Sequence, residues 1–367
     1  MNALTGNTTD LRLLVAVIRL LKERGFHDIT IGDGTSSGFY RNKIDVISRL
    51  RIDRLARRFG VKTLDLNYTP HEAIDFEEET KVRVSKLCRE ADLFINLPKL
   101  KMHFETMMSV CLKNLIGCLV GLDSKQKVHD SLAKNILHLN RALKPHLHIV
   151  DGLIGMEGTG PSRGTPVKMN LVIAGDDPFA VDLLCARLVG VDHWEVPVLR
   201  TALRLGSATS EHVRHVDGLD LSKYARSFCR PKANVLARLA SNQRWQRYLI
   251  GIRLHPFVSW IFNLDTVGKL LNWSGLRQDI FNLQEPNIAG VRVLNDRCDD
   301  CRICSRYCPM LLNPPHEVMK SSECIECLYC YLVCPVNAMQ VDGELGFLEE
   351  QLKRYGEIVR NMSKESR

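Results

Sequence analysis

The feature that most constrains this 367-residue chain lies near its C-terminus, where eight cysteines fall into two copies of one pattern. Cys298, Cys301, Cys304 and Cys308 precede Pro309, and Cys324, Cys327, Cys330 and Cys334 precede Pro335. Both copies read C-x-x-C-x-x-C-x-x-x-C-P, a ligand run for iron–sulfur clusters. A cubane cluster needs four thiolates around it. Three cysteines spaced by two residues wrap one short loop around three irons, and the fourth, beside a proline, serves the other cluster. The spacing therefore predicts two [4Fe–4S] clusters. One would use Cys298, Cys301, Cys304 and Cys334, the other Cys324, Cys327, Cys330 and Cys308. Pro309 and Pro335 cannot extend a helix and turn the chain away after each fourth ligand. Zinc ribbons use C-x-x-C pairs across longer gaps, and cytosolic chains keep thiols reduced, so neither zinc nor disulfides suit this run. All-thiolate ligation in an apolar shell (Ile303, Met310, Leu312, Ile325, Leu328, Val333, Val336) points to low reduction potentials.

Composition bounds the remainder. The chain is long enough for two domains, one of them large, and 45% hydrophobic with 25% charged residues is ordinary for a globular protein. No charged n-region followed by an apolar h-region opens the sequence, and no twin-arginine start is present. The longest apolar stretch, Leu249 to Leu264, is broken by Arg253, His255 and Pro256, too short to span a bilayer. The expected location is the cytoplasm. The net charge of +8 is uneven. Residues 291–345 hold five Lys and Arg against eight Asp and Glu, whereas residues 225–290 hold nine against three. An acidic module docking on a basic segment accounts for this, and no nucleic-acid motif accompanies the basic charge. The other five cysteines, Cys88, Cys111, Cys118, Cys185 and Cys229, lack C-x-x-C partners and read as small buried hydrophobes.

Residues 1–220 alternate helix and strand signals, which predicts an α/β domain with a mostly parallel sheet. Asp10 to Arg24 is an amphipathic helix with a polar cap at Thr8, Thr9 or Asp10 and a stop at Gly25. Strands are expected at His27–Ile31, Lys62–Leu66, Leu93–Leu97, Leu147–Val150 and Met169–Ala174. A Gly- and Ser-rich loop and a basic helix through Arg58 separate the first two strands. Further helices are expected near Glu79–Arg89, Glu105–Leu119, Ser124–Leu143 and Pro178–Leu188. Polar residues bunch after three strands: Lys99, Lys101 and His103; Asp151 and Glu157 to Gly164; and Asp176, Asp177 and Asp182. Ligands of open α/β sheets sit at the carboxyl ends of strands. Lys99, Lys101, His103, Glu157 and Asp177 are thus the candidate catalytic group, with Lys99, Lys101 and Lys113 suited to a small anionic substrate. His103 can equally be a structural histidine, the glycines around residue 160 a turn, and Asp176–Asp177 before Pro178 a helix N-cap.

At these residues the chain resembles a known family. The segments LPKLKMH (Leu97–His103), LKNLIG (Leu112–Gly117), IVDGLIGMEGTGPSRG (Ile149–Gly164) and DDPFAVDLLCARLVG (Asp176–Gly190) are similar to the family named domain of unknown function 362, over roughly residues 10–220. Many members carry a ferredoxin module, as the bacterial-type dicluster motif here does. The resemblance implies a shared α/β domain and a polar site of Lys99, Lys101, His103, Lys113, Asn114, Asp151, Glu157, Gly158, Gly160, Asp177 and Asp182. Members usually begin with a further strand ahead of the helix that here starts at about Asp10.

The expected organisation is an α/β domain (1–220), a basic helical connection (221–285), a small α+β dicluster ferredoxin-like domain (286–345) and a closing helix (346–367). The connection, with Trp245, Tyr248 and Trp260, could also touch a membrane surface peripherally. Two functions compete: a redox enzyme in which clusters and α/β site cooperate, and an electron-transfer adaptor or metalloenzyme maturation factor whose large domain binds a protein that donates or accepts electrons. The first predicts that changing His103 or Glu157 abolishes turnover with cluster content intact.

Overall fold

Asp10 accepts the Arg12 N–H in its side chain and caps helix α1 (Leu11–Glu23), which ends ahead of Gly25 in the left-handed region. Leu11, Leu14, Val15 and Ile18 form its buried stripe, each of the larger ones contributing about 1.5–3 kcal/mol by leaving water. The computed structural model describes residues 2–76, 80–231, 284–314 and 323–365. The proposed connecting helices Ala233–Ile252 and His255–Leu271 lie outside the described residues.

After α1 come β1 (Thr30–Asp33), the short helices α2 (Ser37–Arg41) and α3 (Val46–Arg49), α4 (Ile52–Phe59) and β2 (Lys62–Asp65), which pairs parallel with β1. The hairpin β3 (His71–Asp75) and β4 (Lys81–Ser85) leads to α5 (Lys86–Glu90). A helix near Glu79–Arg89 is therefore corrected to a strand and one short turn of helix. Val82 and Val84, both fully buried, alternate with Lys81 and Arg83, a period of two.

A larger, five-stranded sheet is built around the long strand β8 (Leu147–Glu157). Strands β5 (Ile95–Asn96) and β6 (Lys99–His103) run parallel along one edge of β8, and β9 (Thr165–Gly175) runs antiparallel along the other. β7 (Met107–Ser109) folds back on β6. The α/β class holds, and its sheets are mixed: the β1–β2, β5–β8 and β6–β8 pairings are parallel, the longest ladder, β8–β9, antiparallel.

The expected helix over Glu105–Leu119 is instead β7, the short helix α6 (Cys111–Asn114) and a 3₁₀ turn at Leu115–Cys118. Asp182 explains the break: its carboxylate accepts the N–H groups of Cys111 and Leu112 from across the core, starting a helix there. Ser124–Leu143 divides into α7 (Gly121–Lys127), a 3₁₀ turn and α8 (Leu132–Leu143). Helix α9 (Pro178–Leu188) has Asp177 as its cap, and α10 (Pro197–Arg204) and α11 (Ser210–Asp217) close this side. One core lies between β6, β8, β9 and helices α6 and α8–α10.

The C-terminal module comprises β10 (Asn287–Val293), α12 (Ile303–Tyr307), α13 (Tyr329–Val333), β11 (Met339–Glu344) and α14 (Phe347–Lys364), with β10 and β11 antiparallel. It shares a core with α1: Leu11, Leu14, Ile18, Ile303, Tyr307, Tyr329, Val333, Val359 and Met362 form one cluster. Residues Asn2–Asn7 are buried between the two. Asn2 donates to the Cys327 carbonyl, the Leu11 N–H reaches the Tyr329 hydroxyl, and the Arg12 guanidinium lies 4.3 Å from the Tyr307 ring centre. Among the described residues, the acidic module meets arginines from the basic helix: Arg54 pairs with Glu326 at 2.6 Å and Arg58 with Glu323. These pairs are partly exposed and orient the dock more than they stabilise it.

Candidate functional site

The two cysteine runs fold alike. Every position of the first has a counterpart 26 residues on, from Cys298 and Cys324 to Cys308 and Cys334. Helices α12 and α13 obey the same offset. So does the strain: Asp300, Arg302 and Leu311 take positive φ, as do Glu326, Leu328 and Asn337. None is glycine, so each costs of order 1 kcal/mol, tolerated where surroundings impose the loop. These residues flank the second cysteine of each run and follow the fourth. The loops are held as wrapped cradles by their surroundings.

The thiols of the two runs intermix. Burial pushes the Cys304 thiol up to about 11, with Cys301 and Cys334 adding to it. Burial also raises Cys324, Cys327 and Cys330, and Cys308 adds to all three. The fourth cysteine of each run thus acts on the triplet of the other. Backbone N–H groups of Glu326 and Ala338 point at the sulfurs of Cys324 and Cys334, at 3.4 and 3.1 Å. Among the described residues no group of three or more His, Cys, Asp or Glu side chains is placed to hold a single metal ion. A cubane makes a different demand, one thiolate on each of four irons, and two mixed sets of buried and half-buried cysteines on strained loops fit it.

The second site lies where β1, β2 and β6 end. Asp33 and Asp65 are the last residues of the parallel pair β1–β2. Gly34 follows, and the chain passes so close to the 3₁₀ turn that a Cβ here would lie 1.8 Å from the Gly117 carbonyl. Lys125 from α7 donates to the carbonyls of Gly34 (3.1 Å) and Thr35 (2.6 Å) and to the Asn67 side chain (2.6 Å). Lys101 Nζ donates to the Asn7 carbonyl at 2.9 Å. His103 Nδ1 accepts the Glu105 N–H at 3.1 Å, its Nε2 lies 3.1 Å from Lys113 Nζ, and its ring stacks on Phe104. Glu105 in turn meets His129 at 3.2 Å.

Electrostatics ties these groups into one cluster. Burial pushes Lys101, Lys113 and Lys125 each down to about 8, with Lys113 adding to the effect on Lys101. Burial and then Lys113 and Lys101 hold His103 well below its ordinary value. Asp33 is exposed on the open side of this cluster, where the Lys125 and Lys101 charges act on its carboxyl. Protein on all sides with an opening to water is the environment that shifts these groups together. Burial alone would raise Glu105, but the His129 hydrogen bond outweighs it and holds the carboxyl low.

Of the residues singled out by sequence, Lys101, His103 and Lys113 meet here. Lys99 does not face solvent: it forms a fully buried ion pair with Asp151 at 2.8 Å. Glu157 lies elsewhere, with its carboxylate accepting the Cys229 N–H at 2.8 Å, although its hairpin reaches Phe104 through the Gly160 carbonyl. Asp177 caps α9 through Phe179 and Ala180 and meets His212 at 3.0 Å, sharing no partner with the lysines. Its N-cap reading is the one the contacts support. Asp33, Asp65 and Lys125 were not singled out, yet the first two end parallel strands, where the strand-end rule looks for a ligand. Of the five other cysteines four are buried and Cys229 is exposed, unlike the buried hydrophobe expected.

Cradle and cleft together define an α/β protein carrying an iron–sulfur module. The chain belongs to the family described as Domain of unknown function (DUF362), whose model matches residues 1–187. A 4Fe-4S binding domain matches residues 318–340, so the C-terminal module is an iron–sulfur, electron-transfer domain. The chain is 30% identical over 224 residues to the Thylakoid-associated protein sll1697 of Synechocystis sp., a match covering 56% of this chain and 66% of that protein. It therefore spans just under two thirds of that relative's length. No solved structure matches the chain. No described helix is long and apolar enough to cross a membrane.

Proposed function

We propose that this chain is a redox protein that binds two [4Fe–4S] clusters with exchanged fourth ligands and binds a small anion in the Lys101–His103–Lys113 cleft. The observation that supports it most is the repeated cradle, with its strained positions in register and each fourth cysteine acting on the opposite triplet. Cys298, Cys301, Cys304 and Cys334 would hold one cluster, Cys324, Cys327, Cys330 and Cys308 the other. When bound, the clusters supply one-electron transfer. In the cleft, Lys101 offers positive charge and Lys113 with His103 offers proton transfer; with the clusters, when bound, supplying electrons, the protein is an oxidoreductase in this reading. In this reading the protein works in the cytoplasm, where thiols are kept reduced, and another protein donates or accepts its electrons. The relative's name speaks of thylakoid association, which suits a peripheral contact through the basic connection 221–285.

The test is anaerobic purification with iron, sulfide and low-temperature EPR measurements. About eight irons and two interacting cluster signals are expected. Cys308→Ala should disturb the cluster of Cys324, Cys327 and Cys330, and Cys334→Ala the other. About four irons in the parent protein, or each variant disturbing the cluster of its own run, refutes the assignment. An adaptor without turnover would retain full electron transfer to its partner when His103 is replaced by Asn.

A further inference from the structure

The hydrogen bonds of the cleft dictate protonation states. Lys125 faces three acceptors, the Gly34 and Thr35 carbonyls and the Asn67 side-chain oxygen. Three acceptors need three N–H donors, which an ammonium has and an amine lacks. Lys125 is therefore a charged lysine, and the Asp33 and Asp65 carboxylates favour that charge.

Lys113 faces the opposite demand. His103 Nδ1 accepts the Glu105 backbone N–H, so that nitrogen carries no proton. A neutral imidazole must then carry its proton on Nε2. Nε2–H points at Lys113 Nζ from 3.1 Å. Two donors cannot share a hydrogen bond, so the contact requires a lone pair on Nζ. Turning the ring over would leave the Glu105 N–H facing carbon. We propose that Lys113 stands in this cleft as a neutral amine and is its proton acceptor, taking a proton from a small anionic compound held by the Lys101 ammonium. The substrate class rests on the cleft reading proposed above, whereas the amine rests on the hydrogen bonds alone.

The surroundings agree. Burial already lowers Lys113 to about 8, and a donor N–H facing it lowers it further; Glu105 opposes this from the β6–β7 turn. Around the pair stand Lys101 on β6 and His129 after α7, both of which disfavour charge on His103. The step balances simply: the X–H bond of the substrate breaks, its proton joins the Nζ lone pair, and the electron pair remains on X. Lys113 then carries a positive charge against the Nε2–H donor, which favours prompt release of the proton. Half-buried lysines with a lowered proton affinity can serve as general bases.

The test is competitive labelling with limiting acetic anhydride across pH 6–10, read by peptide mass spectrometry on the cluster-loaded protein. Lys113 should acetylate at pH 7 at least about tenfold faster than exposed lysines such as Lys353, since unperturbed lysine is almost wholly protonated there. His103→Leu removes the facing donor and should slow Lys113 at least about tenfold at pH 7. Lys113 reacting no faster than Lys353, or a rate unchanged in the variant, overturns the proposal. Should the variant not fold, ¹⁵N histidine shifts in the native chain decide: a protonated Nε2 on His103 supports it, a protonated Nδ1 overturns it. Inorganic phosphate at millimolar concentration should protect Lys113. Fast labelling without protection refutes the anion-binding cleft and leaves the amine standing; slow labelling with phosphate still bound does the reverse.

Discussion

Replacing Asp151 by Asn should destabilise the protein by about 4 kcal/mol, far more than a substitution of equal volume normally costs. Asp151 is fully buried and has three donors: Lys99 Nζ at 2.8 Å, the Asp10 N–H at 2.6 Å and the Leu153 N–H at 2.9 Å. Asn keeps one acceptor oxygen and presents an NH₂ where the second was. One donor then faces a donor, which costs about 1–3 kcal/mol. The Lys99 ammonium, 2% exposed at its side chain, also loses its partner. Breaking a buried pair in this way costs about 3–5 kcal/mol. The two terms overlap, and Asp10 remains close enough to interact with Lys99, so we take the middle of the range. Urea unfolding of the parent, Asp151→Asn, Lys99→Met and the double variant gives the coupling. The double variant removes the stranded charge and should fall short of the summed single losses by about 2 kcal/mol or more. A coupling below about 0.5 kcal/mol would show that the pair is incidental and sink the reasoning. Asp10 caps α1 beside the Tyr329 hydroxyl, so Asp151→Asn should also quicken iron release, read as bleaching of visible absorbance under chelator.

Other outcomes follow from single contacts. His148 is fully buried, accepts a hydrogen bond from Asn96, and is pushed by burial down to about 4. A depressed histidine favours the fold while neutral, so stability is present above its unfolded value and lost as pH falls from about 6.5 towards 4. Between pH 7 and pH 5 the parent should lose about 2 kcal/mol more than His148→Asn, measured by urea midpoints; equal losses would exclude this residue as a source of the acid limb. Gly34→Ala places a methyl 1.8 Å from the Gly117 carbonyl and should cost about 2 kcal/mol while raising the Lys113 labelling rate as the cleft loosens; a neutral Gly34→Ala contradicts the close approach. Tyr329→Phe removes the hydroxyl that Leu11 reaches and should cost about 1 kcal/mol in thermal melts, and no change would mean the N–H finds water.

The iron–sulfur module was legible because its signal is covalent spacing, which needs no fold to be read. Helices α1 and α9 were legible because cap, stripe and stop are local: Asp10 to Gly25, Asp177–Pro178 to Leu188. The misread stretch Glu105–Leu119 is one whose structure comes from elsewhere, since the carboxylate that starts α6 belongs to Asp182, 71 residues on from Cys111. Asp151 and Glu157 resembled a loop after Val150 because polar residues usually end strands, yet β8 continues through both. Asp151 is polar there because Lys99, in the facing register of β6, must be neutralised inside the sheet. Lys99 and Asp177 read as site residues on the same ground and turned out to hold the frame. No local pattern separates a lysine that faces water from one that faces a buried carboxylate.

That frame links the two sites. Asn2 donates to the carbonyl of Cys327, itself a proposed cluster ligand, and Asn7, five residues further, accepts from Lys101 in the cleft. Between them Gly6 presses so closely on β8 that a Cβ would meet the Gly155 carbonyl at 2.4 Å. Asp10 then joins this segment to Asp151 and Lys99. A short buried stretch thus touches the cradle at one end and the cleft at the other, with its middle pinned to the sheet. Binding at either end changes the environment of a segment that the other end also holds, and a segment so tightly packed has little room to absorb the change locally. Coupling between cluster and cleft therefore predicts that phosphate protection of Lys113 differs between reduced and oxidised protein. Equal protection in both states would mean that the two sites merely share a chain.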